Sequence, residues 1–443
     1  MTEKRRLTGT ILDYMGESPF DGDLPSYRQG TEALNKEGVG FFAPWDEPFS
    51  GFPEHARRNA LALDGAGIPV HLRTMSAKIY TALNGEEKRI HAQVKKLVDA
   101  SIGMYVAQVH MFVPSDELLQ LNASNAFLDP EQLLAVNAMK IFYNVWERQT
   151  ISDAAARALN MVGQVWVACE DNKAMYLRHG VCEDKIRVVP MPFFPDDPLL
   201  KLAGRQRKPG PPRFYHISKW EPRKEVRNII GAFLMAFEPG KAKLFLKITD
   251  LKAKIQDYPQ GVEACMHEWI KDERVKNNKW TIPLINRDIL IIKRMLPADQ
   301  VVKFHEVGDC YVSLSRGEGF DMPAFDAKLA GNMMIYTPSG GPQDFAELGR
   351  DILVPRTGTI PAHAFYRWGK EATYIDYDLE TAISAFQVAL DKITSGNAAP
   401  KNLLYLQERF SAKSVGEKMR KCIEELLAKN GIEACFARQA GSS

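Results

Sequence analysis

The sequence predicts an α/β protein built from two doubly wound units, and three observations carry that prediction. From about Gly38 onward, short apolar runs of strand length alternate with helix-length stretches. A segment rich in proline, glycine and positive charge, KLAGRQRKPGPPR at 201–213, interrupts the alternation. A second set of runs with the same spacing follows. At roughly 150 residues per domain, 443 residues provide for two or three compact units and exclude a single small module.

The first unit opens with GVGFFAP (38–44), SGFPEHARRNALALDGAG (50–67) and IPVHLRT (68–74), a strand, loop, helix and strand. Pro53 suits a first helical turn, Ala56, Ala60 and Leu63 fall on one face, and Gly65 with Gly67 supplies the stop. Buried strands follow at MYVAQVHMFVP (104–114), MKIFYNVWE (139–147), QVWVAC (164–169) and KIRVVPMP (185–192). After the solvated linker come RFYHIS, AKLFLKIT, DILIIKR, CYVSLS and NMMIYT, each separated by helix-sized material. Val415, Met419, Cys422, Ile423, Leu426 and Leu427 form a helical stripe that has to dock on a core, and GIEACFARQAGSS reads as a loose tail. The predicted division is 1–200, a linker at 201–213, 214–385, and C-terminal helices over 386–443.

Composition narrows the class without choosing a partner. Hydrophobic residues at 45%, charged residues at 25%, 31 glycines and 26 prolines exclude a disordered or fibrous chain. With 57 basic against 55 acidic residues, the net charge of +2 favours no polyanion. Six separated cysteines, with no CxxC pair, indicate neither a disulfide framework nor a zinc site and suit reduced thiols in a cytoplasm. No signal-length apolar core or 18-residue apolar run occurs, which predicts a soluble protein with no transmembrane segment and leaves peripheral membrane contact open.

Ligands of doubly wound domains bind at the carboxyl ends of the strands, so the chemistry belongs in strand-to-helix loops facing an interdomain cleft. In DCYVSLSRGEGFDMPAFDAKLAGNMMIYTPSGGPQDF (309–345), a strand ends in a glycine-bearing loop and a helix opens at Pro323. Proline there leaves the other early amides free for an anion. Glu318 in the loop and Asp326 within the first turn or so of the helix suit sugar and ribose hydroxyls. Spacing alone equally allows a solvated loop glutamate and a helix N-terminal charge. In YHISKWEPRKEVRNIIGAF (215–233), Lys219 closes a strand and Lys224 follows five residues later, so two cations over one loop can clamp a diphosphate; a solvated basic turn is the alternative. Gly51 in PFSGFPEHARR (48–58) allows close backbone approach to a ligand, whereas Arg57 and Arg58 read as solvated helix charges. Glu147 and His110 stand at strand ends as further candidates, against a structural ion pair and a core histidine respectively.

Glu318-Gly319-Phe320-Asp321-Met322-Pro323, followed by Asp326-Ala327 and Gly331, resembles the E-x7-E signature of retaining GT-B glycosyltransferases, especially glycosyltransferase family four. Asp326 stands where that family usually has glutamate, Asp321 where glycine is common, and Lys219 where arginine is commoner. Many relatives carry a histidine after the strand that here ends in Trp146-Glu147. The resemblance runs from about Gly38 to near Lys429 and leaves residues 1–37 unexplained, including the DGD at 21–23, which reads as a turn rather than a metal motif.

It implies the GT-B fold: two Rossmann-like domains facing a cleft, with C-terminal helices crossing back to the first. It also implies a retaining, metal-independent transferase with no cofactor, whose co-substrate is a nucleotide-diphosphate sugar. Glu318 would hold the sugar, Asp326 the ribose, and Lys219 with Lys224 the diphosphate, while Gly51, Gly319, Phe320, Asp321 and Met322 border the donor. Glu147 joins Glu318, Lys219 and Lys224 among the catalytic candidates, and His110 is a possible sugar or acceptor contact. The acceptor implied is a glycan or glycolipid. A hydroxymethylated DNA base is the minority choice, with RQRKPGPPR (205–213) and KRIHAQVKK (88–96) as phosphate-contacting runs. An epimerase or hydrolase of the same fold, or a degenerate nucleotide-sugar-binding protein, are the alternatives.

Overall fold

The computed structural model describes residues 37–43, 51–74, 94–100, 102, 104–111, 139–207, 209–249, 261–362, 372–396, 403–432 and 436. The 21–23 segment, most of 88–96 and the residues just before Gly51 lie outside these.

In the first half, β1 (Glu37–Ala43), β2 (Val70–Thr74), β3 (Met104–Met111), β4 (Met139–Asn144), β5 (Gln164–Val167) and β6 (Ile186–Val188) form one sheet in the order β2-β1-β3-β4-β5-β6. Every described pairing in it is parallel. These strands read as continuous apolar runs because both faces of a parallel sheet are covered. Helix α1 (Gly51–Gly65) lies against them and buries the predicted face through Ala56, Ala60 and Leu63.

The second half repeats the design. Strands β7 (Arg213–Lys219), β8 (Lys243–Thr249), β9 (Ile289–Ile292), β10 (Cys310–Ser313), β11 (Met333–Tyr336) and β12 (Ile352–Leu353) take the order β12-β11-β10-β7-β8-β9. The chain leaves β7 toward β8 and β9, then returns to its other side at β10, so the winding reverses between β7 and β10. In such sheets the crevice opens at the carboxyl ends of those two strands. Both loops singled out in the sequence emerge there. The antiparallel hairpin of β13 (Arg356–Pro361) and β14 (Thr373–Tyr377) was not predicted. RTGTIP is mostly exposed, so it carries no apolar alternation to signal a strand.

Further helices fix how the halves meet. Helix α2 (Glu170–Arg178) follows β5 and α3 (Val226–Ala236) follows β7. Helix α4 (Met322–Leu329) opens after the glycine-bearing loop, and α5 (Leu379–Ser395) packs on α3, placing Phe386 against Phe214 and Phe233. The chain then crosses back through α6 (Leu403–Phe410) and α7 (Ala412–Lys429). Phe193 exchanges backbone hydrogen bonds with this crossing, its amide donating to Phe410 and its carbonyl accepting from Ala412. The predicted stripe of α7 joins the first core, and Gly416 lies so near the Ala62 carbonyl that a Cβ there would collide with it.

Two expectations need correction. The linker is not simply solvated. Arg205 donates to the carbonyls of Leu202, His305, Glu306, Gly308 and Ala330 and to Asn332 Oδ1, pinning the chain to the second domain. A guanidinium can serve these six acceptors because its five N–H groups diverge in one plane and one N–H on Nη2 is shared. Nor is the tail loose at its start, since Ile432 and Phe436 pack on the first core.

Candidate active site at the winding reversal

The loop after β7 tightens into a 3-10 turn, Pro222–Lys224, with Glu225 in the left-handed region at φ 52°. That turn lifts Arg223 and Lys224 toward the loop after β10. Lys224 Nζ lies 2.5 Å from Glu318 Oε1, and Arg223 Nη1 lies 3.3 Å from Glu318 Oε2. Arg223 also donates to the Gly317 carbonyl at 2.5 Å, pairs with Glu221 at 3.1 Å, and reaches Glu147 of the first domain at 3.1 Å. Glu318 is 4% exposed. Burial alone would raise its pKa, but the Lys224 ammonium and the Arg223 guanidinium outweigh that and hold it below the usual carboxylate range. For Lys224 the same contest ends upward: burial opposes the charge and Glu318 more than restores it. Both groups are therefore ionised near neutral pH.

Glycines admit the first domain to this loop. A Cβ on Gly317 would strike the Glu147 carbonyl, and one on Gly319 would strike Val145. Cys169 Sγ donates to the Gly319 carbonyl at 3.1 Å. Two reciprocal bonds flank it: the Glu170 amide donates to Asp344 Oδ2 at 2.9 Å and the Gly340 amide to Asp171 Oδ2 at 3.0 Å. The loop is held from both sides. Asp321 adopts φ 62°, a left-handed conformation that glycine takes at least cost, and its Oδ2 accepts from Ser313 Oγ at 2.5 Å. Burial and the neighbouring Glu318 push its pKa up to about 6.

The other candidates fall in different places. Glu147 is half-exposed at the seam and touches the cluster through Arg223. Phe320 packs at the domain junction against His55, Phe325, Phe345 and Phe410, so only its backbone borders the loop surface. Gly51 opens α1, and a Cβ there would make an ordinary contact, 3.9 Å from Met322 Cε across the junction. Asp326 lies on α4 and is 7% exposed, and its Oδ1 lacks a hydrogen-bond partner among the described residues. Burial pushes its pKa up to about 7, with Arg58 opposing.

Arg57 and Arg58 are not solvated charges. Both clamp Glu54 one turn back on α1, and Arg58 also reaches Asp197 at 3.6 Å, because the domain junction covers this face. His110 is 3% exposed, stacks on Phe42 and bonds Gln108, and has no bond to the Glu318 cluster. Lys219 stands exposed at the end of β7, also with no bond to that cluster.

Sequence reasoning passed over Arg223, which organises three carboxylates. The dense alternation of EPRKE (221–225) directly after a strand was the available signal. It also passed over His55, whose Nε2 lies 2.6 Å from the Tyr143 hydroxyl and whose pKa burial pushes down to about 3.

Two winding sheets joined through this seam, with terminal helices returning to the first, define the GT-B fold. No family model matches the chain, and no curated protein sequence matches it. Solved structures do. Sucrose-phosphate synthase from Thermosynechococcus elongatus superposes with a TM-score of 0.58 at 15% identity, covering 89% of this chain and 100% of that one. Anabaena HepE in complex with UDP and glucose gives 0.55 at 11% identity, covering 88% and 100%. A glycosyltransferase from Rickettsia africae gives 0.56 at 15% identity, covering 89% and 99%. The likeness is one of fold.

Proposed function

We propose that this chain is a retaining glycosyltransferase that moves a sugar from a nucleotide-diphosphate donor to a hydroxyl acceptor, a glycan or glycolipid. The observation that carries the reading is the Lys224–Glu318 pair at the winding reversal, joined through Arg223 to Glu147 of the other domain. The GT-B fold supports it, as do fold neighbours whose complexes hold UDP, UDP with glucose, or UDP-glucose.

In this reading Glu318 accepts hydrogen bonds from donor-sugar hydroxyls, and Asp326 serves the ribose. Lys224 exchanges its Glu318 contact for the diphosphate and, with Lys219, stabilises the charge of the departing nucleoside diphosphate. The acceptor hydroxyl attacks from the leaving-group face and its proton passes to the phosphate, so no side chain serves as nucleophile. Lysines in place of a metal make the reaction independent of divalent ions. Free thiols at Cys169, Cys182, Cys265, Cys310 and Cys422 suit work in the cytoplasm, and no helix among the described residues is long and apolar enough to cross a membrane.

A thermal-shift screen of UDP-, GDP- and ADP-sugars identifies the donor, since a ligand bound to the native state raises the melting temperature. With that donor and an acceptor panel, Lys224→Ala lowers turnover efficiency by roughly ten- to a hundredfold without unfolding, the worth of about 1.5–3 kcal/mol for a charge-assisted contact. Glu318→Gln lowers the rate while nucleotide affinity holds. Wild-type kinetics in both variants would remove the pair from the mechanism. Rapid donor consumption without acceptor would favour a hydrolase or epimerase, and donor binding without any turnover would favour a binding protein.

A further inference from the structure

Across the parallel pair β7–β8, Lys219 lies opposite Thr249 and Ile217 opposite Lys247. Residues two apart on a strand share a face, and opposed residues share it too. Lys219, Lys247 and Thr249 therefore stand together on one face at the carboxyl end of the sheet. Lys247 is 7% exposed. Its Nζ donates to Thr249 Oγ1 at 2.7 Å and lies 3.9 Å from Met295 Sδ. Among the described residues, no carboxylate pairs with Lys247 or with Lys219.

The contrast with Lys328 is informative. That side chain is also buried, and Glu347 and Asp351 each meet its Nζ at 2.7 Å. A buried ammonium without a counter-ion, next to a second cation, is an arrangement folding avoids unless something else uses it. Burial and the Lys219 charge both press the Lys247 ammonium toward its neutral form. A bound phosphate would place negative charge against both cations at once.

Position says which phosphate. Glu318 follows β10, Lys224 follows β7, and Lys247 lies on β8, in the spatial order β10-β7-β8. Resting on the glycosyltransferase reading above, we propose that Lys247, Thr249 and Lys219 form the subsite for the nucleotide-proximal phosphate of the donor, with Lys224 taking the sugar-proximal phosphate beside Glu318. The ligand class is a nucleoside diphosphate, gripped by three ammonium groups at two adjacent strand ends, Lys219 and Lys224 from β7 and Lys247 from β8.

Calorimetric titration of the full-length protein with UDP, GDP, ADP, the matching monophosphates and inorganic pyrophosphate tests this, using wild type, Lys247→Met and Thr249→Val. The expected result is at least a tenfold weaker affinity of K247M for the nucleoside diphosphate that wild type binds. Its ligand-free melting temperature should be equal or higher, because an apolar side chain replaces an unpaired buried charge. A purely structural lysine would give the reverse pattern. Diphosphate affinity within twofold of wild type in both variants overturns the subsite and leaves the glycosyltransferase reading standing. Pyrophosphate binding that depends on Lys247, with no nucleotide bound by wild type, keeps the anion subsite and sinks the donor reading. Binding of neither overturns both. Should K247M fail to fold, T249V decides: a loss of threefold or more in diphosphate affinity supports the proposal, and no loss rejects it.

Discussion

Replacing Arg223 with methionine removes a guanidinium shared by Glu318, Glu221 and Glu147 while keeping much of its apolar volume. Two of those carboxylates, Glu318 and Glu221, are each 4% exposed, whereas Glu147 is 46% exposed. Breaking a buried ion pair by removing one partner costs about 3–5 kcal/mol, and an exposed pair is worth about 0–1 kcal/mol. Lys224 remains on Glu318 Oε1, so the low end applies, about 3 kcal/mol. For a domain of about 200 residues this lowers the melting temperature by roughly 6–12 °C. Urea unfolding followed through Trp220, buried in the second core beside this turn, reads the loss directly. The pH dependence supplies a sign. Glu318 and Glu221 have folded pKa values held below the ordinary 4.5, so their contribution is present above 4.5 and disappears as pH falls through the folded values. The gap between wild type and R223M should therefore narrow below pH 4.5. Equal urea midpoints at pH 7, or a gap unchanged from pH 7 to pH 3, would refute the role assigned to Arg223.

Gly319→Ala should destabilise by about 1–3 kcal/mol through overpacking at the seam, and Val145→Ala in the same chain should recover part of it, as thermal melts of the pair would report. Asp326 has a folded pKa raised from 3.8 to about 7, so its contribution is present below 3.8 and lost as pH rises to 7. Asp326→Asn should flatten the fall in stability over that interval by up to about one proton, measured as the slope of unfolding free energy against pH. Arg205→Ala should lower stability by roughly 1–3 kcal/mol by stranding carbonyls on the second domain, and Arg205→Lys should restore little, since an ammonium cannot reach six acceptors in a plane; denaturant midpoints of the three proteins decide it.

Much of this molecule was legible before any coordinates. Eleven apolar runs became the eleven strands β1 to β11, because a parallel strand buried on both faces advertises itself within four to eight residues. The α7 stripe demanded a core, and the core it found was the first. The β13 half of the hairpin escaped because an exposed strand carries no such pattern, and its partner β14, though buried at Tyr374, Ile375 and Tyr377, is only five residues long.

Residue types at the candidate site were equally local, as Glu318, Lys224 and Asp321 stood out by their place between strand and helix. Their partnerships were not. Lys224 meets Glu318 across a separation of 94 residues, Arg223 reaches back to Glu147, and Lys219 stands in register with Thr249 with no bond to the glutamate. Short-range order writes itself into hydrophobic period and turn chemistry, and that the chain determined alone. Which charge neutralises which depends on strand order and on the domain seam, and only the folded arrangement of both halves decided it.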